Sequence, residues 1–231
     1  MSPEVGMNIP SILASLSVIV AAIVVILGVG AWQREYVGKR KIELAEEVLS
    51  LFYEARDAIS YIRNIFGFVG EGNTRKADTN ESPKDKKIYD DAYVVFERYN
   101  KYQEPFNKLY SMRYRYMARF GKDSAKPFFE LQQIVNEIFS AASELPDYRK
   151  RQGSGCWQNE AEFEQHLKEM RELEAIVREH GSGRDLIKPR IDAVIFDIEA
   201  QTLKIVQGTS VLQRIRRWFL RPKRKTEPAK N

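Results

Sequence analysis

The chain has 231 residues, of which 43% are hydrophobic and 30% charged, and this balance is that of a globular protein rather than a disordered one. A single cysteine excludes an internal disulfide and any metal site built on paired thiolates. The formal net charge is +5, but residues 214–231 carry eight Lys or Arg and one Glu, a balance of +7 that leaves −2 for the rest. The basic charge therefore belongs to the C-terminal tail.

The first predicted element is a transmembrane helix over residues 11–32, a run of 22 residues without a charge. As a helix this run is about 33 Å long, which is enough to cross about 30 Å of hydrocarbon. A cleavable signal peptide is the alternative, because Gly28 and Gly30 precede Ala31 as small residues precede a cleavage site. The segment before the run holds Glu4 and no Lys or Arg, and the run exceeds a signal core, so an uncleaved anchor is favoured.

The residues that flank the span predict its orientation. Arg34, Lys39, Arg40 and Lys41 follow it, whereas residues 1–10 hold no Lys or Arg. The positive-inside rule then places residues 1–10 outside and the rest in the cytoplasm, with Trp32 and Tyr36 at the inner interface. A lone free thiol fits a reducing compartment. We expect a protein of a bacterial-type inner (cytoplasmic) membrane, with its N-terminus outside.

Small residues recur along one stripe of the predicted span. Ala14, Ala21 and Gly28 are spaced by seven residues. Such a stripe lets two transmembrane helices approach closely, so a homodimer through the span is one interpretation. The other is that any apolar run of this length contains Ala and Gly.

Residues 33–207 are predicted to form an all-α cytoplasmic domain, a bundle of about five helices. Apolar residues recur there with a period near 3.6, and no stretch alternates as a strand does. The first helix carries an apolar stripe from Leu44 to Ile65, widened by Phe66, and residues 33–42 before it are expected to be a solvated stalk. The polar, Gly-rich segment 67–87 reads as a long loop that is functional or mobile.

Four more helices are expected after that loop. Ser82 and Pro83 give a cap and a first-turn proline for the second one. Its inward face includes Tyr102, and Pro105 should break or kink it. Pro146 is assigned to a loop after the third helix. We place the four helices at about residues 83–120, 124–144, 157–180 and 185–207.

The end of the second helix carries the richest cluster of basic and aromatic residues. Arg113 falls in the middle of an apolar face, so we expect it to pair with a carboxylate of a neighbouring helix; a ligand-binding role is the alternative. Arg115, Arg119 and Lys122 line the opposite face. They are candidate contacts for a phosphate-bearing ligand or lipid headgroups, and an ordinary solvated helix face is the competing interpretation.

Residues 208–231 form a basic amphipathic tail whose aromatic and basic side chains suit an anionic membrane surface. A solvated tail is the alternative, and nucleic acid is the less favoured partner. A plain up-and-down bundle leaves this tail far from the bilayer, whereas crossed packing or the break at Pro105 brings it back. The candidate lipid contacts in the tail are Arg214, Arg217, Trp218, Arg221, Lys223, Arg224 and Lys225.

No catalytic, cofactor or metal site is predicted. His166 and His180 are 14 residues apart on one predicted helix, roughly 21 Å, and we expect them on a helix surface and at a helix end. The expected function is that of a membrane-anchored interaction, scaffold or sensor-like module that binds a protein partner and has no catalytic activity. The alternative is a membrane-tethered effector or enzyme that binds a nucleotide or nucleic acid through the Arg113 to Lys122 region and the 67–87 loop.

Overall fold

The computed structural model describes residues 9–179 and 185–209, and the predicted tail contacts and His180 therefore lie outside the described residues. The described part is all-α and contains no strand. A short 3-10 helix, Lys122–Ala125, precedes the fourth helix. The six α-helices are α1 (Ile9–Ile62), α2 (Pro83–Lys101), α3 (Gln103–Phe120), α4 (Lys126–Ser154), α5 (Glu160–Val177) and α6 (Lys188–Thr209).

Helix α1 is continuous over 54 residues and contains the predicted span. It is long and apolar enough to cross a membrane, and the apolar window is not buried against the rest of the protein. Between Trp32 and Leu44 the helix continues with most side chains exposed, as expected for a stalk. Core packing begins at Leu44, which is 7% exposed. We call the end of the domain from which residues 16–32 project the proximal end.

The predicted second helix is two helices, so the domain has one more helix than expected. Tyr102 separates α2 from α3 with φ −117° and ψ 23°, and its backbone N–H bonds the carbonyls of Arg98 and Tyr99. The break precedes Pro105, whose ring cannot follow an uninterrupted helix. Tyr102 was predicted to face inward, but it is 41% exposed because the break turns it against the ring of Tyr61.

Helix α4 continues ten residues past the predicted end at 144, and the loop assignment for Pro146 was wrong. Pro146 lies inside the helix and is buried. A proline inside a helix removes one hydrogen bond, but Ala142, Leu145 and Pro146 all belong to the buried face of α4, and burial of this face offsets that loss. Gly155, with φ 67°, ends the helix in the left-handed conformation that favours glycine.

The helices form two tiers stacked along the domain, and α4 runs through both. The near tier consists of α1 from Leu44 onward, α3, the first half of α4, and α6. In this tier the ring centroid of Phe128 in α4 lies 5.0 Å from that of Phe52 in α1 and 5.4 Å from that of Tyr116 in α3. The far tier holds α2, the second half of α4 and α5, and Phe96 packs on Phe139 with centroids 5.3 Å apart.

Helix α6 runs antiparallel to α1 and returns the chain to the proximal end. Its start is held at the C-terminal end of α1, where Asp185 pairs with Arg63. Further along, the Tyr53 hydroxyl donates to Glu199 at 2.6 Å. Ten more residues add about 15 Å of helix, which brings Thr209 beside the part of α1 near residue 43. A plain up-and-down bundle would end distally, but α5 runs from Arg151 to Arg63 and α6 starts at Arg63 and continues toward the proximal end, so these two helices run in the same direction.

Candidate functional site

Two buried arginines organise the junction between the tiers, and Arg98 of α2 is the first. Its guanidinium donates to the carbonyls of Tyr61, Ile62, Asn64 and Phe66 at 3.3, 3.4, 2.7 and 2.7 Å. These carbonyls lie at and just beyond the C-terminal end of α1, where the helix supplies few donors and a cation is favourable. The Tyr61 carbonyl also accepts from the Asn64 N–H at 3.2 Å.

The charge of Arg98 is paired inside the protein. Its Nε and Nη2 bond both carboxylate oxygens of Glu71 at 3.1 and 2.6 Å, and the two side chains are only 3% and 7% exposed. The hydrogen bonds from Arg98 hold the pKa of Glu71 below its usual value, although burial alone would raise it.

Arg63 performs the same task for α5. It donates to the carbonyls of Ala175, Ile176 and Arg178 at 2.9, 2.8 and 3.0 Å, and it pairs with Asp185 at 2.8 Å. The Arg63 and Asp185 side chains are 2% and 6% exposed. Because Asp185 also accepts from the backbone N–H groups at the start of α6, one arginine joins the ends of α1 and α5 to the beginning of α6.

The segment between α1 and α2 begins with an exposed apolar tip, which we define as residues 65–69. Ile65, Phe66, Phe68 and Val69 are 51%, 81%, 70% and 108% exposed. Ile65 and Phe66 were predicted to lie on the buried stripe of the first helix. They do not lie there, because α1 ends at Ile62. At this end the Arg98 guanidinium donates to the last carbonyls of the helix.

The backbone of the apolar tip is fixed on both sides. Arg98 bonds the Phe66 carbonyl, and the Phe68 N–H donates to Glu71 at 3.0 Å. The next turn is set by Gly72, which has φ 85° and donates its N–H to Glu97. A Cβ at Gly72 would lie 2.1 Å from the Asp90 carbonyl oxygen, so the loop is pressed against α2 at this point.

The rest of the loop is tied to the start of α2. Arg75 pairs with Glu81 and, at 2.8 Å, with Asp90. Lys86 reaches the other oxygen of Asp90 at 2.5 Å. Ser82 caps α2 by accepting from the Asp85 N–H at 3.1 Å, as the sequence predicts. The polar part of this loop is therefore a structured cover on α2.

Arg113 has no carboxylate partner among the described residues, and that expectation was wrong. The buried line of α3 runs through Met112 and Tyr116, so Arg113 lies at its margin. Its guanidinium donates to Gln132 at 3.4 Å and lies 4.9 and 4.8 Å from the ring centroids of Tyr114 and Phe129. Aromatic faces and an amide replace the expected ion pair.

The structure brings Arg115 and Arg119 together with residues of α1 at the proximal end. They line a groove of about 570 Å³ with Tyr36 and Arg40; Leu44 and Ala118 complete its wall. We call this the proximal groove. Lys122 is exposed on the following 3-10 helix and is not among the lining residues.

The two parts of the alternative phosphate site do not meet. Tyr102, at the start of α3, contacts Tyr61, whereas Arg115 and Arg119 lie beside Arg40. The apolar tip and the loop after it are therefore separated from the basic end of α3 by about 20 residues of α1, or roughly 30 Å. A ligand of nucleotide size cannot contact both.

His166 lies inside the protein and not on a helix surface. It is 3% exposed, and its ring lies between Tyr148 and Trp157 with centroids 5.2 and 4.6 Å away. Neither ring nitrogen has a hydrogen-bond partner among residues 9–179 and 185–209. Cys156 is exposed in the connection between α4 and α5. Among the described residues no group of His, Cys, Asp and Glu could hold a metal ion.

Sequence reasoning missed Arg63 and Arg98, although a signal for both was present. Arg63 is four residues after Ile59, and Arg98 is three after Val95, so each continues a buried stripe at helical spacing. The same criterion that singled out Arg113 applies to them. The sequence does not show that each of these buried stripes packs beside the C-terminal end of another helix, where backbone carbonyls need donors.

Comparisons of the chain with protein-family models, curated proteins and solved structures found no match.

Proposed function

We propose that the chain is a single-pass membrane protein whose helical domain is an interaction module, and that the apolar tip docks on a protein partner. The observation that carries the proposal is the exposure of Phe66, Phe68 and Val69 on a backbone fixed by Arg98 and Glu71. Exposed apolar clusters on soluble surfaces mark interaction sites. Aromatic side chains at the centre of an interface carry much of its binding energy.

The rigidity of the tip is the second part of the argument. Ordering a loop on binding reduces affinity, and a loop already held in one conformation avoids that cost. Burying one phenylalanine side chain contributes roughly 1.5–3 kcal/mol. Two such side chains contribute roughly 3–6 kcal/mol of a larger interface, in a segment whose backbone does not have to be ordered.

The anchoring half of the proposal rests on α1. Its apolar stretch is long enough to span, and the basic residues Arg34, Lys39 and Lys41 after it favour a cytoplasmic domain in a bacterial-type inner membrane. Ile62 follows Trp32 by 30 residues, which corresponds to about 45 Å of helix. With an average tilt of about 20° the tip still stands more than about 40 Å from the span, too far to enter the same bilayer.

Site-specific photo-cross-linking tests this function. A photoreactive amino acid at Val69 should give an adduct with a discrete partner in intact cells, because Val69 is fully exposed at the tip. The same group at Phe196, which is 68% exposed on α6, is the control and should not give that adduct.

Matched substitutions sharpen the result. The double variant Phe66→Ser, Phe68→Ser should abolish the adduct, and Phe196→Ser, Leu203→Ser should leave it intact, because the latter pair is similarly exposed on another surface. An adduct that persists in the first variant, or is lost equally in both, contradicts docking through the tip.

A further inference from the structure

The proximal groove has the position and composition of a site for an anion at a membrane surface. Arg40, Arg115 and Arg119 line it with Tyr36, and its volume of about 570 Å³ lies within the range of small-molecule sites. These groups come from two helices, α1 and α3, that meet only because α3 runs back along α1. The sequence places Arg40 and Arg119 79 residues apart.

The charge of the groove is largely uncompensated. Arg40 has an exposed ion pair with Glu43, at 3.3 Å. Within the described part of the chain, the side chains of Arg115 and Arg119 make no ion pair or hydrogen bond. Two guanidinium groups on one wall without carboxylates present donors in the geometry that phosphate oxygens accept.

The side of the groove that faces the span lies at the height of a headgroup layer. Tyr36 and Arg40 follow Trp32 by four and eight residues, or about 6 and 12 Å of helix. The polar layer on each side of a bilayer is roughly 5–8 Å thick. The Arg40 guanidinium lies 5.4 Å from the Tyr36 ring centroid and its Nε donates to the Tyr36 hydroxyl at 3.3 Å, which brings its charge back toward the span.

The face of α1 that enters the groove continues down the span. Trp32, Tyr36 and Arg40 are spaced by four residues and lie within about 80° of one another around the helix, and Gly28 lies about 40° beyond Trp32. Trp32 stacks on Tyr36 with centroids 5.7 Å apart, and no atom outside the helix backbone lies within 4 Å of a Cβ built on Gly28. This face therefore has room for the acyl chains of a lipid whose headgroup lies in the groove.

We infer that the proximal groove binds the phosphate group of an anionic membrane lipid. The inference rests on the membrane anchoring proposed above and is independent of docking by the apolar tip. A soluble phosphate ester shares the same chemistry, but the face that continues along the span favours a lipid. Arg115 and Arg119 bind the phosphate, while Tyr36 and Arg40 close the side that faces the span.

Native mass spectrometry of the full-length chain in a zwitterionic detergent tests this site. The protein is titrated with phosphatidylglycerol and, separately, with phosphatidylcholine. One basic side chain beside an anionic surface contributes roughly fivefold to affinity, and exposure to water reduces the joint effect of two to about tenfold. We expect the wild type to prefer phosphatidylglycerol, and Arg115→Gln, Arg119→Gln to lose about tenfold.

The control removes the same charge from the far tier. Lys84→Gln, Lys87→Gln changes two exposed lysines at the start of α2 and should keep the wild-type preference. Equal preference in the wild type and the groove variant would overturn the site. Binding of glycerol 3-phosphate to the groove without any preference for the anionic lipid would overturn the lipid as its ligand.

A separate measurement distinguishes failure of the anchor. Membranes from expressing cells are washed at alkaline pH, and the wild type and both variants should stay with the lipid. Release of all three contradicts the anchoring itself. If all three proteins are retained and the groove variant still prefers phosphatidylglycerol as strongly as the wild type does, only lipid binding in the groove is contradicted.

Discussion

Replacement of Arg98 by methionine tests the junction between the tiers. The substitution keeps an unbranched side chain of similar reach but removes every donor. It leaves the carbonyls of Tyr61, Ile62, Asn64 and Phe66 without their partner and Glu71 as an uncompensated buried charge. Breaking a buried ion pair by removing one partner costs about 3–5 kcal/mol, a large fraction of the 5–15 kcal/mol that stabilises a typical domain.

The free energy of unfolding is measured by urea denaturation of the full-length chain in detergent, followed by circular dichroism. The matched control is Arg149→Met, because Arg149 pairs with Glu174 at 2.9 Å while 17% exposed. We expect that control to cost about 1 kcal/mol or less. A cost below about 1 kcal/mol for Arg98→Met would refute the assignment of Arg98 as the residue that closes α1.

The second variant in this test separates charge from geometry. Glu71→Gln removes the buried carboxylate, so the double variant with Arg98→Met should be less destabilised than the sum of the two single changes. The difference is the coupling free energy of the pair. If the two changes in unfolding free energy simply add, the buried side chains of Arg98 and Glu71, which are 3% and 7% exposed, do not act as a unit.

Three other outcomes follow from contacts in the two tiers. Because the pKa of Glu71 is lowered in the folded state, its stabilising effect is present above about pH 4.5 and is lost as the pH falls. On acidification from pH 5 to 3, the free energy of unfolding should therefore decrease more for the wild type than for Glu71→Gln. An equal decrease would contradict this. Gly72→Ala should cost at least about 2 kcal/mol because its Cβ meets the Asp90 carbonyl, whereas Gly155→Ala, with φ 67° and open space, should cost only about 1 kcal/mol in the same denaturation assay. His166→Phe should keep or raise the free energy of unfolding, since neither ring nitrogen has a partner among the described residues. A decrease of more than about 1 kcal/mol would reveal a polar contact.

The helical class and most helix positions could be predicted because the 3.6-residue period is a local property. The stripe from Leu44 to Ile62 is buried as expected. Helix ends were harder to predict, because they depend on partners distant in sequence. α1 stops before Ile65 where Arg98, over 30 residues later, satisfies its carbonyls.

The candidate sites show the same division between local and distant information. Helical spacing alone identified Arg115 and Arg119 as lying on one face. It did not identify Arg40 as the third member of their groove, since that depends on how far α3 extends along α1. Across the break at Tyr102, which the sequence indicated through Pro105, α3 continues in the direction of α2, so the basic end of α3 lies at the proximal end.

The unbroken course of α1 couples rotation of the span to rotation of the domain. The residues between Trp32 and Leu44 are mostly exposed, yet they belong to one regular helix. Each residue of a helix turns the chain by about 100° and advances it by about 1.5 Å. One alanine inserted in this stretch would leave the core unchanged and turn Trp32 away from the arginines of α3, whereas seven would nearly restore its azimuth. The number of stalk residues, more than their identity, sets which face of the span the domain meets.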